Sequence, residues 1–131
     1  MKILRFEQNE KKYLGLLDKN ENIRVMNSTD DISSENIEEL VNYKLKDIDL
    51  ENLKILKGNC KILPCVNKVG KIVCVGLNYA DHAKESGLKV PSEPLIFSKA
   101  VTSINGPNDD VILPPNSKKS DWEVELAIVI L

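Results

Sequence analysis

The longest uninterrupted apolar run in this chain, Leu126-Ala127-Ile128-Val129-Ile130-Leu131, is only six residues long. A membrane-spanning helix needs about 20 such residues, so no segment can form one. Every other apolar run is shorter, and most are bounded by Gly, Pro, Asn, Asp or charged residues, the punctuation of short strands and tight turns. At 131 residues and 42% hydrophobic, the chain can fill one ordinary domain, or a small domain and part of another.

Residues 1–26 predict two or three short strands. "KILRF" alternates, "KYLGLLD" follows, and "KNEN" makes a turn before "IRVM". "DDISSENIEELVNY" predicts a helix with Ile37, Leu40 and Val41 on one face. Ser33 or Ser34 would be its N-cap, with Glu38 and Glu39 in the first turn. "DIDLENLKIL" suggests a further helical turn leading into "CKILPCV", and Asn67-Lys68-Val69-Gly70 is a turn. Beyond it "KIVCVGLNY" is a strand, "YADHAKESG" a short helix stopped by Gly87, and "LIFSK" a strand. "INGPNDD" is a turn-rich loop, while "VILPP" and "WEVELAIVIL" are the last strands. The expected class is α+β: a small N-terminal α/β domain over 1–69, then a β-rich domain over 70–131.

Charge excludes several roles. Eighteen basic residues face twenty acidic ones, for a net −2, and only Arg5 and Arg24 are arginines. Planar guanidinium forks for phosphate or base edges are therefore scarce, and neither nucleic acid nor a membrane surface is an expected partner. Cys60, Cys65 and Cys74 show no metal-ligand spacing and are expected to be reduced, mostly buried thiols. "MKILRFEQNEKK" turns charged too early for a signal peptide. A cytoplasmic location follows as an expectation, and the Asn27-Ser28-Thr29 sequon carries no weight there.

Polar residues at strand ends in 71–131 are the candidates for chemistry. Glu123 and Glu125 stand two apart, so a strand would place both on one face, with Cα atoms about 7 Å apart. Paired carboxylates suit a hard divalent cation such as Mg²⁺, Mn²⁺ or Ca²⁺; the bland alternative is a solvated strand face. His82 is the only histidine, and Glu85 follows at i+3 on the same helical face. Such a pair could serve as a general base, or simply as a surface ion pair. Lys99 ends the "LIFSK" strand and could stabilise an oxyanion, or lie idle at the surface. Asn78 and Tyr79, at the mouth of "VGLNY", offer an amide and a hydroxyl for orienting a ligand. Gly76 belongs to a GxN turn and forms no nucleotide-binding loop.

In order, "KIVCVGLNYADHAKES", "PLIFSKAVTSINGPNDDVILP" and "SDWEVELAIVI" resemble the opening part of the catalytic domain of the fumarylacetoacetate hydrolase family. "LRFEQNEKKYLGLLDKNENIRVM" and "ILPCVNKVGK" likewise resemble the small N-terminal domain of its bacterial members. The similarity is greatest to the group named as 2-hydroxyhepta-2,4-diene-1,7-dioate isomerases, diketo-deoxy-sugar-acid hydrolases or ureidoglycolate lyases. The resemblance implies the start of a β-roll, Glu123 and Glu125 as ligands of Mg²⁺ or Mn²⁺, and His82 with Glu85 as a water-activating dyad. It also implies Lys99 near the substrate's oxygens, a small 2-keto or 2-hydroxy-dienoate acid as substrate, and a homodimer for the full-length fold. Leu131 stands where the family usually has Gly. The family's third carboxylate ligand, an Asp, has no counterpart in these residues, so the expectation is a partial chain whose independent activity is in question. The alternative is an inactive remnant serving as a binding or structural domain.

Overall fold

The computed structural model describes residues 2–26 and 48–130. The helix expected over "DDISSENIEELVNY" lies outside the described residues. Two compact units are present, one comprising residues 1–67 and 105–131, the other residues 68–104.

The first unit is built on a five-stranded antiparallel sheet in the order β4-β3-β2-β1-β5. Its strands are β1 (Lys2–Gln8), β2 (Lys11–Leu17), β3 (Ile23–Val25), β4 (Lys54–Ile55) and β5 (Lys61–Leu63). Asn9 and Glu10 join β1 to β2 with φ of 51° and 63°. Two successive left-handed residues match the twist of a tight hairpin, and Gln8 pairs with Lys11 across it. The three N-terminal strands lie where "KILRF", "KYLGLLD" and "IRVM" predict them, with three consecutive residues buried in each of the first two. The expected turn in "DIDLENLKIL" is a 3₁₀ turn at Leu50–Asn52, capped by the Asp49 side chain.

Both faces of the central strands are covered. Leu14, Leu16 and Met26 form a buried cluster on one face, with Ile3, Ile48, Leu50 and Leu53 packed against it. Phe6 has no exposed surface and stacks on Tyr13 at 5.3 Å between ring centroids. Gly15 is required beside it, because a Cβ there would stand 2.9 Å from Ile23 Cγ2 and 3.1 Å from Phe6 Cε1.

A partly buried polar network ties β3 to the turn before it and to the residues leading into β4. Arg24 donates to Asp18 at 2.9 Å, to the Leu53 carbonyl at 3.2 Å and to Glu51 at 3.3 Å. Burial pushes the Asp18 carboxyl up, but hydrogen bonds from the Asn22 side chain and backbone, Arg24 and the Asn20 backbone outweigh it. They hold its pKa at about 2.

The second unit contains an antiparallel hairpin of β6 (Ile72–Gly76) and β7 (Leu95–Lys99), with α1 (Ala80–Glu85) between them. Ala83, 1% exposed, is the inward anchor of α1. The helix ends as Gly87 predicts. Gly87 adopts φ 67°, its N–H donates to the Lys84 carbonyl, and the Leu88 N–H donates to the Ala83 carbonyl. That pair of bonds is a Schellman motif, which satisfies carbonyls the helix leaves open.

Three expectations need correction. "VILPP" and "WEVELAIVIL" form no strand among the described residues; residues 111–130 are exposed throughout, with Trp122 at 80%. Alternation marks a segment suited to a pleated surface, but a strand exists only when another backbone completes its ladder. The three thiols are free, as expected, yet they are not mostly buried: Cys65 is exposed, and Cys60 and Cys74 are half-buried. Cys60 and Cys65 flank the short edge strand β5, and Cys74 lies in the two-stranded β6–β7 sheet, so little chain covers any of them. Among the described residues no helix is long and apolar enough to cross a membrane.

Candidate active site

Five of the seven candidate residues belong to the second unit. Strand β6 delivers the chain to Leu77, which takes φ 52°. A left-handed conformation is uncommon for a residue other than Gly, Asn or Asp and costs roughly 1–2 kcal/mol. It turns the backbone sharply, so that exposed Asn78 and Tyr79 leave the strand end just before α1 begins. Tyr79 is the N-cap of α1 through its backbone, and its side chain makes no capping bond.

His82 and Glu85 are both exposed on α1. Their spacing puts them on the face away from Ala83, where a carboxylate can orient an imidazole. Lys99 closes β7. Its Cα partner is Ile72, whereas Gly76 pairs with Leu95 at the other end of the ladder. Four residue steps, about 13 Å along the strand, separate these ends. The ladder therefore places the Lys99 backbone at the end remote from the Leu77 turn.

Asn78 also lines an open cleft of about 250 Å³. Its apolar wall comes from Val75, Val90, Pro91 and Pro94. Ser92 and Glu93 add a hydroxyl and a carboxylate, and the lining carries no Lys or Arg. Sequence reading passes over Leu77, Ser92 and Glu93. "VPSEP" looks like an ordinary loop, and no local pattern announces a left-handed leucine; the Pro residues at 91 and 94, which stiffen the loop, are the only available signal.

Glu123 and Glu125 fall in the other unit and are exposed. The loop before them is firmly held. Asn105 accepts from the Gly106 N–H at 3.0 Å and donates to the Asp110 carbonyl at 3.0 Å, while Asp109 pairs with Lys61 of β5 at 3.0 Å. Gly106 lies so close that a Cβ would approach Asp109 Oδ2 to 2.5 Å.

Two carboxylates suit a hard divalent cation in chemistry but fall short in number. Among the described residues no three His, Cys, Asp or Glu side chains converge to hold a metal ion. The donors described here do not complete such a site.

These residues fall within a segment that has a counterpart among known families. Residues 71–131 match the fumarylacetoacetate (FAA) hydrolase C-terminal family model. All seven candidates lie in that segment, and the match supports the fumarylacetoacetate hydrolase family. Curated relatives extend the similarity to the N-terminal half. A protein named "Putative hydrolase" from Burkholderia ambifaria is 42% identical over 131 residues, covering 99% of this chain and 46% of its own length. Similarly named proteins from Burkholderia lata and Burkholderia orbicola are 42% and 41% identical, with the same coverage. The chain thus spans about half the length of the curated relatives it matches. The family match leaves its isomerase subgroup undecided.

Proposed function

We propose that this chain carries the N-terminal domain and the first catalytic residues of a metal-assisted hydrolase of the fumarylacetoacetate hydrolase family. Its substrate would be a 2-keto, acylpyruvate-like acid. The observation that carries the reading is the family match over 71–131, which contains every candidate residue. The hydrolase names of relatives about 42% identical point the same way.

In this reading His82, oriented by Glu85, takes a proton from water as the water's oxygen bonds to the substrate's acyl carbonyl carbon. The C–C bond to the pyruvyl carbon then breaks, and its electron pair passes to an enolate that is protonated to the 2-keto acid. Lys99, whose backbone stands at the far end of the β6–β7 ladder, would have to extend its long side chain toward the reaction centre to bring an ammonium to the developing oxyanion. Asn78 and Tyr79 orient the substrate by hydrogen bonds. Glu123 and Glu125 would supply two oxygens to Mg²⁺ or Mn²⁺, the other ligands coming from outside the described residues. Such an ion, when bound, polarises the dioxygen end of the substrate. The isomerase and decarboxylase alternatives use the same enolate without productive water attack. A second copy of the chain is the expected partner, as a homodimer.

A second reading, an inactive binding or structural domain, is motivated by the two carboxylates having no third donor converging on them among the described residues. Calorimetric titration with Mn²⁺ separates the two. The enzyme reading predicts saturable binding that is lost in both Glu123→Gln and Glu125→Gln. Absence of binding at millimolar Mn²⁺, or binding unchanged in both variants, sides with the inactive domain.

A further inference from the structure

Asn105-Gly106 is the one Asn-Gly pair in the sequence. Asn105 is exposed and Gly106 is buried. The Asn105 carboxamide bridges its loop: Nδ2 donates to the Asp110 carbonyl at 3.0 Å and to the Asp109 carbonyl at 3.4 Å, while Oδ1 accepts from the Gly106 N–H at 3.0 Å. Cγ is one bond, about 1.23 Å, from that oxygen, so the Gly106 nitrogen and Asn105 Cγ stand close to reacting distance. Glycine is enforced here, because a Cβ on residue 106 would meet Asp109 Oδ2 at 2.5 Å and the Ile62 carbonyl oxygen at 3.4 Å. The amide that follows Asn105 therefore carries no side chain to shield it. The other side of the loop is latched to the sheet, where Lys61 Nζ of β5 stands 3.0 Å from Asp109 Oδ1.

We propose that Asn105 is a modification site, a slow one-way deamidation switch whose rate is set by the Lys61–Asp109 latch. In the first step the Gly106 nitrogen bonds to Asn105 Cγ and the Cγ–Nδ2 bond breaks. The proton lost by the Gly106 nitrogen leaves with Nδ2 as ammonia, and a succinimide remains. One water then adds: its oxygen bonds to one imide carbonyl carbon, the C–N bond there breaks, and the nitrogen recovers a proton from that water. Attack at Cγ leaves an aspartyl residue, and attack at the main-chain carbon leaves an isoaspartyl link. Ring closure needs the carboxamide to turn its face toward the nitrogen, which breaks both Nδ2 donations. Those donations persist while Lys61 holds Asp109 in place. After conversion a carboxylate, which only accepts, faces the two carbonyl oxygens that Nδ2 had bonded. The loop then stays open, and the tether between β5 and the segment carrying Glu123 and Glu125 is slackened.

The test keeps the folded chain in warm, mildly alkaline oxygen-18 water and follows the tryptic peptide 100–118 by mass spectrometry. That peptide also contains Asn108 and Asn116, followed by Asp109 and Ser117, as internal controls. The expected result is label at Asn105, mostly as the isoaspartyl form, with far less at Asn108 and Asn116. Lys61→Ala removes an exposed ion pair and should speed the conversion about twofold to fivefold, whereas Lys61→Arg keeps the pair and the rate. Asn105→Asp reproduces one product and should exchange the Asp109 amide, bonded to the Gly106 carbonyl at 3.2 Å, faster than the unmodified chain does. Absence of label at Asn105, equal label at Asn108 or Asn116, or an unchanged rate in Lys61→Ala overturns the proposal. So does unchanged Asp109 exchange in Asn105→Asp, since the loop would then remain closed after conversion.

Discussion

Gly15→Ala tests whether the first unit is packed as tightly as its geometry indicates. The added Cβ would stand 2.9 Å from Ile23 Cγ2, 3.1 Å from Phe6 Cε1 and 3.4 Å from the Arg24 carbonyl oxygen. None of these can yield easily. Phe6 is fully enclosed and stacked on Tyr13, Ile23 is β-branched and stiff at χ1, and the Arg24 oxygen belongs to β3. Overpacking of this kind costs about 1–3 kcal/mol. Loss of glycine's freedom in the unfolded chain returns about 0.4–1 kcal/mol. The net destabilisation is about 1–2 kcal/mol, a fall in Tm of roughly 5–15 °C for a unit of this size. Circular dichroism melts of Gly15→Ala, Ile23→Ala and the double variant provide the assay. Ile23→Ala removes the nearest clashing carbon, so the two costs should be less than additive by about 0.5–2 kcal/mol. A Tm for Gly15→Ala equal to or above that of the unmodified chain, or strict additivity in the double variant, would refute the reasoning.

Other expectations follow from local features. The Asp18 carboxyl is held at about 2 against 3.8 for a free aspartate, so its stabilisation is present above pH 4 and is lost as pH falls through about 2. Urea midpoints measured over that window should drop, and Asp18→Asn should flatten the drop. Gly87→Ala meets no atom within 4 Å but must hold φ 67°, so it should cost about 1 kcal/mol through conformation alone. Faster amide exchange at Leu88, where the Schellman bond forms, would report it. Thiol labelling of the native chain should modify exposed Cys65 first, ahead of half-buried Cys60 and Cys74. Burial also pushes the Cys60 thiol up, so less of it is reactive thiolate at neutral pH.

The sequence made the N-terminal hairpin legible because the signals there are local. The apolar stretches "KILRF" and "KYLGLLD" mark β1 and β2, although three consecutive residues are buried in each, and the left-handed pair Asn9–Glu10 that fixes their register carries no glycine to announce it. Helix α1 was equally legible, since Gly87 supplies the left-handed stop. Strand β4, only Lys54–Ile55, was hidden within an apparent helical turn; two residues carry no period, and its strand character comes from Arg24 and Val25 of β3. The opposite error arose at "VILPP" and "WEVELAIVIL", where a strand pattern has no paired backbone among the described residues. At the candidate site, residue types could be recognised one by one. The distance between Lys99 and the Leu77 turn could not, because it depends on the pairing of β6 with β7. The cleft went unseen for the same reason: its walls come from segments some fifteen residues apart.

The central claim, hydrolysis of a 2-keto acid by the His82–Glu85 pair with metal assistance, is tested most directly by product analysis. Carbon-13-labelled acetylpyruvate incubated with the chain and Mn²⁺ is followed by NMR. The account predicts acetate and pyruvate in equal amounts, dependence on the added metal, and loss of about 10²–10⁴-fold in rate in His82→Ala. Carbon dioxide or an isomerised acid as the product, an unchanged rate in His82→Ala, or substrate left intact by the unmodified chain would contradict it.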